Sequence, residues 1–263
     1  MVDLSFGTDV EINGKRVSAE AIGADLEVKS EVGPERRIRA CFTNRSGKTI
    51  CFGGFRFELR TFHGIPGERV RIYREGWTMT SASGSVRYGE CDFDANPDYL
   101  KYAVSDPGNY RSDEPNHFSA EHVVVLNDRD TGYSLLAGFV SSADQLTRFD
   151  VVLNEHGLAR FTAFSCCDGI EVAPGEAIHS EELVIFDGDD GYGLLERFAG
   201  LWGKRMNALV QGQIPTGWCS WYYYFHGVTE NDILENLRYL VSHRQQFPLE
   251  YIQLDEGYQS MLG

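Results

Sequence analysis

The sequence predicts a mainly β chain: a large antiparallel β-sandwich, then a helix, then a strand–helix–strand segment of the parallel kind. Three observations carry that expectation. As far as about Asp187, short β-rich stretches alternate with turn signals, and several have one apolar and one polar face. After Gly188 the apolar period lengthens to that of a helix. After Pro215 two apolar runs flank an amphipathic helix, and parallel strands need a crossover of that length where hairpins do not. The expected boundaries are 1–187 for the sandwich, 188–214 for a helical linker and 215–263 for the final segment.

In chain order, the expected sandwich strands cover 21–28, 36–42, 49–62, 70–74, 122–126, 135–140, 147–153, 158–164, 170–172 and 178–186. Asn13-Gly14, Gly33-Pro34, Ser46-Gly47, Asp130-Thr131-Gly132 and Pro174-Gly175 punctuate them as turns. Phe52, Phe55, Phe57 and Leu59 interleave with Arg56, Glu58 and Arg60, which gives one buried and one wet face. The interval 91–118, rich in Asp, Asn, Pro and Tyr, is too long for an ordinary hairpin loop, and one helical turn is expected over 96–103.

Leu195, Phe198, Ala199, Trp202 and Met206 recur at helical spacing, so a helix is expected over 192–209 with Asp189-Asp190 at its positive end. In the final segment, Thr229 with Asp232 forms a capping-box signal. Ile233, Leu234, Leu237, Leu240 and Val241 make an apolar face, and His243, Arg244 and Pro248 are stop signals. Ligands of such units gather at the carboxyl ends of the strands. Trp221 ends the first run and Asp255-Glu256 the second, so an aromatic and two carboxylates are expected on one rim. Carboxylates accept strong hydrogen bonds from neighbouring sugar hydroxyls, and an indole offers an apolar face to the C–H side of a sugar. The bland alternatives are a solvated Asp-Glu-Gly turn and aromatic packing, the latter being the reading for Trp218.

Gly217-Trp218-Cys219-Ser220-Trp221 followed by Leu254-Asp255-Glu256-Gly257-Tyr258 resembles the first two barrel strands of glycoside hydrolase family 36, which contains α-galactosidases and the raffinose and stachyose synthases. The family carries Gly-Trp-x-Ser-Trp and then Asp-Asp-Gly-Trp; here Glu256 and Tyr258 stand at the second acid and the following aromatic. The resemblance implies a mutarotase-like supersandwich ahead of a (β/α)8 barrel, retaining chemistry on α-galactosides, and no cofactor. It implies that Trp221, Asp255 and Glu256 bind the sugar. Gly76-Trp77 looks like the family's loop that carries the sandwich over the pocket, with Trp77 as one wall; an aromatic plugging the sandwich is the alternative. The catalytic carboxylates come from later barrel strands in the family, so no residue of this chain is assigned a catalytic role. A whole barrel takes about 250 residues, so the barrel is expected to be truncated here. The piece alone is expected to be inactive, with apolar faces that favour partial disorder or self-association into a homo-oligomer.

Composition narrows the rest. A net charge of −15 argues against nucleic acid and suits a neutral oligosaccharide. No run approaches a membrane span, and the N-terminus lacks a secretory pattern, so a cytoplasmic location is expected. The six cysteines show no zinc spacing and read as free thiols. A catalytic role for Cys219 has no nearby base, and His226 reads as a solvated loop residue. Two other classes stay open: a freestanding carbohydrate-binding or interaction module, and a sugar mutarotase, for which His63, His117, His122, His156 and His179 supply no constellation in sequence.

Overall fold

The computed structural model describes residues 9–58, 65–76, 83–92, 112, 114–210 and 212–259. The chain divides into two units, Met1–Ala208 and Leu209–Gly263. The first is mainly β and built of two antiparallel sheets. One runs in the order β2 (Lys15–Ser18), β1 (Asp9–Ile12), β5 (Ile50–Glu58), β12 (Gly157–Val172), β11 (Leu146–Asn154) and β8 (His117–Ala120). The other runs β13 (Ala177–His179), β4 (Arg36–Asn44), β14 (Leu183–Gly188), β10 (Ser134–Phe139), β9 (Val123–Asp128), β6 (Val70–Glu75) and β7 (Gly84–Arg87), with β3 (Ala24–Val32) also paired to β4.

Alternation builds the core between the sheets. Phe52, Phe55 and Phe57 of β5 are buried, whereas Arg56 and Glu58 turn outward. Phe42 of β4 stacks on Phe52 across the core, ring centroids 4.3 Å apart. Each such buried ring contributes roughly 1.5–3 kcal/mol of transfer free energy.

Three strands break the alternation for a physical reason. β9, β10 and β14 are apolar on both faces: Val124, Leu126, Leu135, Ala137, Leu183 and Ile185 enter the main core, while Val123, Val125, Leu136, Val184 and Phe186 pack outward. The helix α1 (Gly191–Arg205) covers that outer face with Leu194 and Phe198. Gly138 lets it approach, since a Cβ there would stand 2.4 Å from the Phe198 ring. Asp190 caps the helix by accepting from the N–H groups of Tyr192 and Gly193, both at 3.1 Å.

The structure redraws several expected strands. The runs 158–164 and 170–172 belong to one strand, β12, interrupted by a register shift between Cys166 and Ile170 where Asp168 and Gly169 take positive φ. The run 178–186 is two strands, because Ser180 turns to bond β4: its N–H donates to the Ala40 carbonyl and its hydroxyl accepts from the Ala40 N–H. The expected turn over 96–103, with His63 and Trp77, lies outside the described residues. All six cysteines are free thiols, Cys167 buried and the others partly so.

The second unit consists of β15 (Gly217–Cys219), the short helix α2 (Trp221–Tyr224), a 3-10 turn (Phe225–Gly227), α3 (Glu230–Ser242) and β16 (Tyr251–Gln253). β15 and β16 pair in parallel, Gly217 with Tyr251 through Cys219 with Gln253. Thr229 and Asp232 form the capping box that opens α3. Leu237, Val241, Phe247 and Tyr251 stay exposed in this unit. Among the described residues, no helix is long and apolar enough to cross a membrane.

Candidate functional site

The parallel ladder of the second unit fixes where the Asp255-Glu256 turn begins. The Ser220 N–H extends the ladder by donating to the Gln253 carbonyl at 3.1 Å. Ser220 itself has helical φ and ψ (−68° and −31°), so β15 stops at Cys219 and Trp221 opens α2. Trp221 therefore lies on α2 and does not end the strand as expected, and Trp218 meets the Tyr224 ring edge-on at 6.4 Å.

Ser220 sits at the N-cap of α2 yet its hydroxyl does not cap it. The fully buried Oγ accepts instead from the Asp255 N–H at 3.0 Å. The Asp255 carboxylate is then held from three sides. Its Oδ2 accepts from the Cys219 thiol at 3.4 Å and the Gln253 amide at 3.3 Å, and its Oδ1 accepts from the Glu256 N–H at 2.8 Å. A carboxylate oriented by its own strand ends loses little further freedom when it accepts a ligand hydroxyl.

Gly257 lets this turn close. It has φ +114°, and a Cβ there would lie 2.8 Å from Val228 Cγ1 and 3.0 Å from the His226 carbonyl. That approach brings His226 to Glu256, Nδ1 to Oε2 at 3.9 Å. The His226 ring meets Trp221 edge-on at 4.8 Å, and Phe225, with φ +49°, meets Trp221 at 5.5 Å. Trp221, His226 and Glu256 thus form one connected group beside Asp255. His226 is the member that sequence reading set aside as a solvated loop residue; the Gly257 turn was the available signal. Ser220 had no signal beyond its place in the Gly217–Trp221 run.

The fourth expected site residue, Trp77, is outside the described residues, but the strand before it is firmly anchored. Arg74 of β6 is buried and pairs with buried Asp92, whose Oδ2 accepts from the Ser119 N–H at 2.9 Å and hydroxyl at 3.0 Å. In the sandwich, His117 Nε2 lies 2.5 Å from Asp150 Oδ1, and Arg160 donates to the other Asp150 oxygen at 3.0 Å. His122 is buried against Phe198 and Trp202, and burial pushes its pKa down to about 4. Among the described residues, no group of three or more His, Cys, Asp or Glu side chains is arranged to hold a metal ion.

A sandwich followed by a parallel strand–helix–strand unit is the fold class. Solved α-galactosidases are similar to the chain in fold. An α-galactosidase from Lactobacillus brevis is 12% identical, aligned over 90% of this chain and 31% of its own, with a TM-score of 0.52. The GH36 α-galactosidase AgaA from Geobacillus stearothermophilus, in complex with stachyose, is 13% identical over 99% of this chain and 38% of its own, TM-score 0.50. The galactosidase domain of the α-galactosidase–sucrose kinase AgaSK is 11% identical over 95% of this chain and 37% of its own, TM-score 0.50. The likeness is one of fold, and the chain spans 31–38% of the length of these structures. No protein-family model matches the sequence.

Proposed function

We infer that the chain is the N-terminal portion of a retaining α-galactosidase-like glycoside hydrolase acting on α-galactosides. It supplies sugar-pocket residues and not the catalytic carboxylates. The observation that carries this is the fixed Asp255 carboxylate at the end of β16, which accepts from the Glu256 N–H, with the Glu256 side chain reaching Trp221 through His226. Asp255 and Glu256 accept hydrogen bonds from neighbouring sugar hydroxyls, and the Trp221 face covers the C–H side. β15, α3 and β16 are then the first strand, helix and second strand of a (β/α)8 barrel. Residues 1–187 are the supersandwich, and 188–214 connect the two.

Retention needs two carboxyl groups about 5–5.5 Å apart, one as nucleophile and one as acid/base. Asp255 and Glu256 are adjacent in one turn and in this scheme orient substrate only. The chain alone is accordingly inactive. The test is binding: methyl α-galactoside titrated into the chain should perturb the Trp221 indole and the Asp255 and Glu256 amides, and Asp255→Asn should weaken binding about tenfold or more. Saturable binding that Asp255→Asn leaves intact would remove the pair from the site.

A second reading has one observation in its favour. The His117–Asp150 pair is an acid and a base within hydrogen-bond reach on the sandwich, as a mutarotase requires. Polarimetry of freshly dissolved α-galactose tests it, and anomerisation at the uncatalysed rate rules it out.

A further inference from the structure

We propose that the cleft between the β6–β7 edge and the first turn of α1 is a saccharide-binding site in its own right, built on the first unit and independent of Asp255. The cleft has a volume of about 630 Å³, within the range that holds small ligands. Tyr73 and Tyr192 line it, with Arg71, Ser85, Asn127 and Leu195. Tyr192 is 85% exposed, yet its backbone N–H is held by the Asp190 cap at 3.1 Å. An aromatic face displayed on a fixed backbone is a stacking platform that loses little entropy on binding.

The polar groups select the ligand class. Arg71 stands directly across the β6–β7 ladder from Arg87, a like-charge pairing that costs stability. Arg87 is neutralised by Glu90 at 2.7 Å, whereas among the described residues no carboxylate forms an ion pair with Arg71, whose Nη1 reaches only backbone carbonyls at 3.4 Å. Asn127 spends its amide hydrogens on the Gly132 carbonyl at 3.2 Å and the Ser134 hydroxyl at 2.9 Å, which leaves its carbonyl oxygen as the group it offers the cleft. The cleft therefore presents a donor-only guanidinium, an acceptor-only carbonyl and a serine hydroxyl between aromatic faces. An anion would meet the carbonyl and the Asp190 carboxylate that already occupies the helix N-terminus. Vicinal hydroxyls both donate and accept and so satisfy the whole set, and the ligand is a neutral sugar unit of an oligosaccharide.

The test is a residue-resolved NMR titration of the full chain with raffinose, with inorganic phosphate and glycerol in parallel. The expected result is saturable shifts at the amides of Ser85, Asn127 and Leu195 with raffinose alone. Tyr192→Ala and Arg71→Ala, both outside the core, should each weaken this binding about fivefold, and Asp255→Asn should leave it unchanged. Absence of saturable shifts at these amides, equal shifts with phosphate or glycerol, binding unaffected by both cleft variants, or loss of the shifts in Asp255→Asn would each overturn the proposal. Since the amides of the cleft and of the Asp255 turn are read separately, either site can fail without the other.

Discussion

Burial of His122 makes the sandwich sensitive to acid. The side chain is 4% exposed, with ring centroids 5.2 Å from Phe198 and 4.4 Å from Trp202, in the layer where α1 meets the sheet. Burial lowers its pKa from 6.5 to about 4, so the native state holds it neutral while the unfolded chain takes up a proton below pH 6.5. The sign follows: stability is full above 6.5 and falls as pH drops towards 4. Integrating that difference gives a loss of about 2 kcal/mol between pH 8 and pH 5, and about 3 kcal/mol by pH 4. The carboxylates whose pKa values are lowered, Glu35 by Arg37 and Asp128 by Arg69, lose their contribution only at lower pH, beneath their ordinary values of 4.5 and 3.8. Urea unfolding followed by far-UV circular dichroism at pH 8 and pH 5, on the parent and on His122→Phe, isolates the effect. Phe keeps the ring contact and removes the titration, so the variant should lose less than about 0.5 kcal/mol over this interval. An equal loss in parent and variant would refute the assignment.

Other consequences follow from single contacts. Gly138→Ala puts a methyl group into the Phe198 ring and should cost about 1–3 kcal/mol in urea unfolding, with α1 loosened in hydrogen exchange. Asp190→Ala removes the side-chain N-cap of α1 and should cost about 1 kcal/mol. Ser220→Ala strands the Asp255 N–H beside a buried site and should destabilise the second unit by about 1–3 kcal/mol, read as faster amide exchange at Asp255. Asp92→Ala leaves buried Arg74 without its carboxylate and should cost about 3–5 kcal/mol, with the melting temperature as readout.

What the sequence conveyed and what it withheld have physical causes. Strands with a strong apolar face were legible, and so were both capped helices, because Asp190 and Thr229 mark their starts by hydrogen-bonding chemistry that is local. The N-terminal hairpin of β1 and β2 was visible only as its Asn13-Gly14 turn: both strands are only four residues long, β2 is mostly polar, and of β1 only Val10 is fully buried. β7 and β8, four residues each, exist through pairing with β6 and β11 and carry no pattern of their own. The bulge in β12 hid its continuity because Asp168 and Gly169 read as a turn. At the rim, adjacency of Asp255 to the end of the first run was readable from the parallel unit. The turn of Trp221 out of the strand and the arrival of His226 at Glu256 depend on Ser220 and Gly257, whose roles appear only when the backbone closes.

The proposed function has this chain build part of an α-galactoside pocket whose reacting carboxylates lie elsewhere. The most direct measurement is release of nitrophenol from nitrophenyl α-galactoside by this chain and by the reading frame continued past Gly263, each with and without Asp255→Asn. The expected result is no turnover by the short chain, turnover by the continued chain, and a loss of about a hundredfold or more in kcat/KM on Asp255→Asn. Turnover by the short chain would mean that its own residues carry the chemistry, and an Asp255→Asn variant as active as its parent would contradict the pocket itself.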